Sequence, residues 1–317
     1  PRVMPNLGLD YTVLRQTNPG LVIASITAFG QYGPNRDRIA YGANIEGSCG
    51  LMATTGYRDD ETPYRTTLYY ADPVIAVHTA FATLAALFHQ RRTGQGQHID
   101  LSLQENGIAF VPEAVVQYTV TGTTMRPLGN RHAVHAPQGC YLSLGDDMWL
   151  VLTVRDDSDW RRLRDVIGDA RLRDSRFDSV EGRRRHHDEI DKVLLEWTAK
   201  FDHNEAAQRL QEAGVPAAPV LANWEIVSNP HIHARGFYVT TNHPEVGVFP
   251  YPGMPWKFSA TPASVRLPAP CFAEHNRFVY CELLAMRNAA PQPLYERRVI
   301  TDEPPPGLPR PVVQRRP

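Results

Sequence analysis

Between Asp72-Pro73 and Gly94 the sequence reads as one long helix, and the short β-rich runs on either side of it leave few folds open. Val74, Val77, Phe81, Leu84 and Phe88 recur at three- and four-residue steps, and alanines widen the same face. Asp is a favoured N-cap and Pro suits the first helical position. Arg91 and Arg92 complement the dipole at the far end, where Gly94 stops the helix. The apolar run Leu21–Phe29 predicts a buried, parallel strand before this helix, and Gln97–Leu101 a second strand after it. Glu105–Val120 predicts a further helix. Strand, helix, strand, helix in this order implies an α/β layer with parallel strands.

The rest of the chain divides around that layer. Asp10–Thr17 reads as a short helix ended by Asn18-Pro19-Gly20, and Arg38–Met52 as a small-residue helix. Residues 1–121 form the expected large α/β domain, and the Gly-, Pro-, Thr- and His-rich stretch 122–136 a linker. Residues 137–221 are expected to be a small α+β domain. Its strands are Cys140–Leu144 and Met148–Val154, joined by Gly145-Asp146-Asp147; its helices are near 157–168, 187–200 and 203–213; Val215–Leu221 closes it. Residues 222–302 are expected to return to the large domain, with short strands in 229–270 and helices near 274–285 and 293–299. The Pro- and Arg-rich tail 303–317 reads as extended or disordered.

Charge and cysteine usage exclude several classes of function. Lys and Arg (33) nearly balance Asp and Glu (34), so no overall field draws the chain to nucleic acid or an anionic membrane. Cys49, Cys140, Cys271 and Cys281 lie far apart without CxxC spacing, which argues against zinc or a disulfide framework and fits a reducing cytoplasm. His132/His135 and His231/His233 lack a carboxylate or Cys at ligand spacing, so no metal site is expected. No run comes near the about eighteen apolar residues that cross a bilayer, and Pro1–Asp10 lacks the form of a signal peptide.

Several segments, in order, resemble one family. They are Leu7-Gly8-Leu9-Asp10-Tyr11, Gly30-Gln31-Tyr32-Gly33-Pro34, Tyr70-Ala71-Asp72-Pro73 and Arg91-Arg92-Thr93-Gly94-Gln95-Gly96-Gln97. Gly129-Asn130-Arg131-His132, Ala136-Pro137-Gln138-Gly139, Ala213-Gly214-Val215-Pro216 and Asn229-Pro230-His231 follow. Together they resemble the family III coenzyme A transferases, also called the CaiB/BaiF family. The resemblance implies a Rossmann-like large domain with an inserted small α+β domain. It also implies that the N-terminal part of the large domain, roughly a hundred residues in the family, is missing here. CoA enters as co-substrate, with no permanently bound cofactor. The partners implied are an acyl-CoA, a carboxylic acid and a second copy of the chain in an interlocked homodimer.

The resemblance gives Asp72 the catalytic role. By itself an Asp before Pro at a helix start is an ordinary N-cap; within this signature it is the carboxylate that carries the acyl group and then CoA. A carboxylate is already ionised at neutral pH and needs no general base to act as a nucleophile. Asn44 and Glu46 stand where the family places residues facing the pocket. Gly129-Asn130-Arg131-His132 takes the place of the loop that covers the nucleophile, without the longer glycine run some members carry there. Two readings stand for Arg2, Arg36 and Arg38: charge-assisted contacts to CoA phosphates, or ordinary solvated surface arginines. Two other readings stand beside this one. One is an α-methylacyl-CoA racemase-like enzyme, whose relatives carry a His in the segment that reads Tyr41-Gly42-Ala43-Asn44 here. The other is a non-catalytic truncated or binding subunit.

Overall fold

Two short parallel strands and the long helix between them organise the first part of the chain. The computed structural model describes residues 1–287, 291–304 and 307, and it divides into two units, Pro1–Val220 and Leu221–Pro317. The first unit opens with α1 (Val3–Asn6), α2 (Tyr11–Thr17) and β1 (Ile23–Thr27), followed by α3 (Gly42–Ser48), α4 (Leu51–Thr54) and α5 (Ala71–Thr93). Strand β2 (His98–Ser102), α6 (Leu103–Ile108) and α7 (Pro112–Thr121) complete this part. β1 pairs in parallel with β2, Ile23 opposite His98 and Thr27 opposite Ser102. α5 packs against both strands and against α6. Mixed α/β architecture is thus as the sequence predicts.

Several boundaries differ, each for a local reason. The stretch 38–52 is two helices, because Gly50 turns left-handed (φ 87°) between α3 and α4. The stretch 105–120 is also two, since Pro112 cannot donate to a continuous helix and instead starts α7. Asp72 is not the N-cap of α5. The helix begins at Ala71, behind Tyr70, and the orphan N–H of Tyr70 is taken by the Glu46 carboxylate. β1 alternates half-buried and exposed positions, because it has a single strand neighbour. α5 reaches the length and hydropathy of a membrane span, which corrects the expectation that no run comes near it. Interior helices of ordinary folded domains share that length and composition.

After the coil 122–136 come β3 (Gln138–Leu142), β4 (Trp149–Thr153), α8 (Asp157–Ile167), α9 (Val180–Arg185), α10 (His187–Thr198), α11 (His203–Glu212) and β5 (Ala217–Val220). The strands form an antiparallel sheet in the order β3-β4-β5. Trp160, Leu163, Leu194, Trp197 and Leu210 from the helices fill one core with Tyr141, Leu150 and Leu152 from the sheet. Arg183 is buried in that core. Its guanidinium lies 5.4 Å from the Trp160 ring and donates to the carbonyls of Ala136 (2.8 Å) and Phe177 (3.1 Å) and to the Asp157 carboxylate (2.8 Å). Those partners satisfy a charge that burial alone would disfavour.

The second unit contains α12 (Asn223–Ser228), α13 (Pro230–Ala234), the hairpin β6 (Tyr238–His243) and β7 (Gly247–Pro252), a π-helical stretch Phe278–Leu283, and α14 (Gln292–Glu296). The helices expected near 274–285 and 293–299 are present in these shorter forms. Of the expected tail 303–317, residues 305–306 and 308–317 lie outside the described residues.

Candidate functional site

The backbone that carries Asp72 is held from three directions. Glu46, at 0% exposure on α3, accepts the Tyr70 N–H at 2.7 Å and the Thr66 hydroxyl at 2.6 Å through the same oxygen. Asn106 on α6, also buried, donates its amide to the Ala71 carbonyl at 3.2 Å. The Asp72 N–H closes on the Tyr69 carbonyl at 2.9 Å. The Asn106 oxygen lies 2.5 Å from His78 Nδ1; an amide oxygen only accepts, so this proton sits on Nδ1. Gly42 is required beneath the turn, because a Cβ there would lie 2.4 Å from the Tyr69 ring. These bonds hold the backbone that carries the Asp72 carboxylate into the first turn of α5, where the helix dipole favours a negative charge.

The Asp72 side chain itself is exposed in the chain. Asn44 is exposed on α3 and Glu46 is buried. Asn44 accepts from the Tyr41 N–H at 3.0 Å and caps its own helix, while Glu46 is committed to Tyr70 and Thr66. Glu46 therefore acts on the backbone next to Asp72, a role that the sequence reading, which put it in the pocket wall, missed. Arg2 and Arg36 both pair with Asp37, at 3.4 and 3.7 Å, on an open surface. Arg38 is exposed as well.

Gly129 and Asn130 lie between two cavities. One, of about 300 Å³, is lined by Arg58, Arg131, Cys140, Tyr141 and Asp191 among others. The other, of about 480 Å³, is lined by Thr54, Tyr57, Tyr64 and Arg65. Leu128, Gly129 and Asn130 line both; Gly129 takes φ 62°, which suits a residue without Cβ. Arg131 fastens this loop to α10 through Asp191 (2.6 Å) and Asp188. Hydrogen bonding from Arg131 holds the Asp188 carboxyl below its usual range. Burial, reinforced by the Asp191 charge, pushes the Tyr141 phenol well above its ordinary value, so it remains a donor to Asp191 at 2.7 Å.

Arg65 joins the larger cavity to the Asp72 turn: its guanidinium lies 5.5 Å from the ring of Tyr69, the residue whose carbonyl receives the Asp72 N–H. Sequence reading singled out neither Arg65 nor Asn106; their one visible signal is polarity beside otherwise apolar or small-residue runs. Among the described residues no group of three or more His, Cys, Asp or Glu side chains is placed to hold a metal ion. Asp72 lines neither of the two cavities; the structure offers an exposed carboxylate on an anchored backbone, a group able to act as a nucleophile.

Comparison with known proteins gives the family. Residues 1–276 match the family model described as CoA-transferase family III. A succinyl-CoA--D-citramalate CoA-transferase of Chloroflexus aurantiacus is 30% identical over 301 residues, spanning 95% of this chain and 74% of the relative. A succinate--glutarate CoA-transferase of Agrobacterium fabrum is 31% identical over 284 residues, spanning 89% and 70%. The crystal structure of a CaiB/BaiF family protein from Brucella suis superposes with a TM-score of 0.79 at 28% identity, covering 88% of this chain and 72% of that one.

Proposed function

This chain belongs to CoA-transferase family III and is an enzyme of that family, and from that premise we propose that it moves CoA between an acyl-CoA thioester and a carboxylic acid through covalent intermediates on Asp72. The observation that carries the reading is the anchoring of residues 69–72, which holds the backbone bearing Asp72 in the first turn of α5.

A carboxylate oxygen of Asp72 attacks the thioester carbonyl, the C–S bond breaks, and CoA leaves as thiolate. The product is a mixed anhydride between Asp72 and the acyl group. The thiolate then attacks the Asp72 carbonyl, the anhydride C–O bond breaks, and the first acid departs as its carboxylate. Asp72 now holds CoA as a thioester. The incoming carboxylate attacks that thioester, and the same two steps in reverse deliver CoA to it. Each addition builds an oxyanion that N–H donors stabilise best where water is scarce.

An anhydride on an exposed side chain hydrolyses, so the active form needs a cover over Asp72. The family reading supplies one: the Gly129–His132 loop as lid, in an interlocked homodimer. The same reading takes the large domain as Rossmann-like, with residues 137–221 as the inserted α+β domain. Four widely spaced cysteines without CxxC spacing support a reducing cytoplasm as the enzyme's compartment.

The test is to incubate the chain with an acyl-CoA and hydroxylamine and to locate the hydroxamate by mass spectrometry. Hydroxamate on Asp72, absent in Asp72→Ala, is the expected result. Retained CoA binding without label would assign the chain to a non-catalytic role, a reading that the exposure of Asp72 favours. Solvent deuterium entering the α-carbon of the acyl group, with no exchange of CoA, would assign it to the racemases.

A further inference from the structure

We propose that His78 is a positioning residue for the transfer at Asp72: acting through Asn106, it fixes the peptide that leads into the reacting carboxylate. This rests on the reading of Asp72 as the nucleophile.

The direction of two hydrogen bonds carries the inference. The Ala71 carbonyl only accepts, so the end of the Asn106 amide that faces it at 3.2 Å is the nitrogen. The amide oxygen is thereby turned to His78 Nδ1, 2.5 Å away, and that ring nitrogen carries a proton. The constraint also runs the other way. A flipped amide would set two donors against each other at His78 and two acceptors at Ala71, so the proton on Nδ1 decides which way Asn106 points. The His78 ring is itself stacked on Phe110, with centroids 6.4 Å apart and planes 15° apart. Tyr70 meets the same Phe110 ring edge-on at 5.4 Å, and its N–H is the one that Glu46 takes.

The peptide held in this way is the one that carries Asp72. Asn106 bonds its carbonyl, and the Tyr69 carbonyl accepts its N–H at 2.9 Å. Both ends of one rigid plane are therefore fixed, and the Cα of Asp72 lies in that plane. Such holding is needed here. A residue before proline is disfavoured in the helical conformation, yet Asp72 precedes Pro73 inside α5. Without the Asn106 bond, that preference draws the Asp72 backbone out of the first turn. A displacement of about 1 Å at a reacting group costs on the order of 100-fold in rate.

The test uses the full chain with His78→Leu, His78→Asn, Asn106→Ala and the double variant of His78→Leu with Asn106→Ala. An asparagine amide offers an N–H near the place of imidazole Nδ1, so His78→Asn keeps the donor that His78→Leu removes. His78 is exposed, and its replacement opens no buried cavity. Hydroxamate formation on Asp72 is timed against succinyl-CoA concentration at saturating hydroxylamine. The expected result for His78→Leu is a maximal rate lowered about 10- to 100-fold with the KM for succinyl-CoA unchanged. His78→Asn returns to within about 3-fold of the parent, and the double variant is no slower than Asn106→Ala. Losses that multiply in the double variant, a rise in KM alone, or equal rates for His78→Leu and His78→Asn would overturn the proposal.

Two readouts do not need Asp72 to react. The Asp72 N–H is expected to exchange faster in His78→Leu and Asn106→Ala than in the parent, and at the parent rate in His78→Asn. A nitrogen NMR spectrum at about pH 9, where histidine rings are neutral, is expected to show the His78 proton on Nδ1. Unchanged exchange in His78→Leu, or a ring protonated on Nε2, overturns the proposal. Both expected signatures without hydroxamate on Asp72 in the parent would sink the transfer reading alone. Hydroxamate on Asp72 with His78→Leu indistinguishable from the parent would sink this inference alone.

Discussion

Residues 138–220 and residues 1–121 use apolar residues at the same helical spacing and end in opposite states. In the later segment α8, α10 and α11 bury Trp160, Leu163, Leu194, Trp197 and Leu210 against a three-stranded sheet. In the earlier one α5 buries Ala71, Ile75 and Ala86 and leaves Val77, Phe81, Leu84 and Phe88 exposed, Phe81 at 74%. The earlier sheet has two strands and meets the small-residue side of α5. Periodicity thus states which face of a helix is apolar; whether the chain covers that face depends on how much sheet it can bring to it.

The largest expected effect that tests this contrast is in the later core. Trp160→Ala removes a buried ring and the surface beneath Arg183, and is expected to cost about 3–5 kcal/mol, read as a lower urea midpoint. A cost under about 1 kcal/mol would mean that the core is not what stabilises this segment.

Glu46→Leu comes next, at about 1–3 kcal/mol, because it strands the Tyr70 N–H and the Thr66 hydroxyl. Hydrogen exchange is expected to quicken at residues 69–75 and to stay unchanged in β3, β4 and β5. Uniform quickening would tie the two regions into one cooperative unit.

A smaller effect follows pH. Burial holds the His187 imidazole below its ordinary 6.5, against the opposing attraction of Asp191. The unfolded chain therefore takes up this proton first, and the stability present above about 6.5 is lost as pH falls through that value toward the folded pKa. His187→Gln is expected to flatten the urea midpoint between pH 7.5 and 5.5; an equally steep profile would move the cause elsewhere.

The smallest is Phe81→Ser, expected to change the stability of the chain by no more than about 0.5 kcal/mol. A loss above about 2 kcal/mol would show that this face is covered after all.

The elements were legible where local chemistry decides them. Asp10 before Tyr11–Thr17 is an N-cap in the fold, accepting from Thr12 and Val13, and Gly94 ends α5 in the left-handed region. The hairpin β3–β4 and its return strand β5 follow from alternation and the Gly145-Asp146-Asp147 turn. What failed was non-local. Asp72 had the look of a cap, but Glu46 lies 24 residues away from the N–H it satisfies, and no local pattern reports that. The same holds for Asn106, which lies 35 residues from the Ala71 carbonyl it bonds. The α5 stripe was legible as apolar and misleading as core, since exposure is a property of neighbours.

Arg183 and Arg131 tether the strip of chain around Gly129 and Asn130 at unequal depths. Arg183 grips the Ala136 carbonyl inside the core, out of reach of dissolved ions; Arg131 meets Asp188 where water and counterions have access. Added salt weakens accessible pairs and spares enclosed ones. Ionic strength therefore loosens the free end of this strip and leaves its pivot in place, so that its travel is a swing about Ala136 rather than a release.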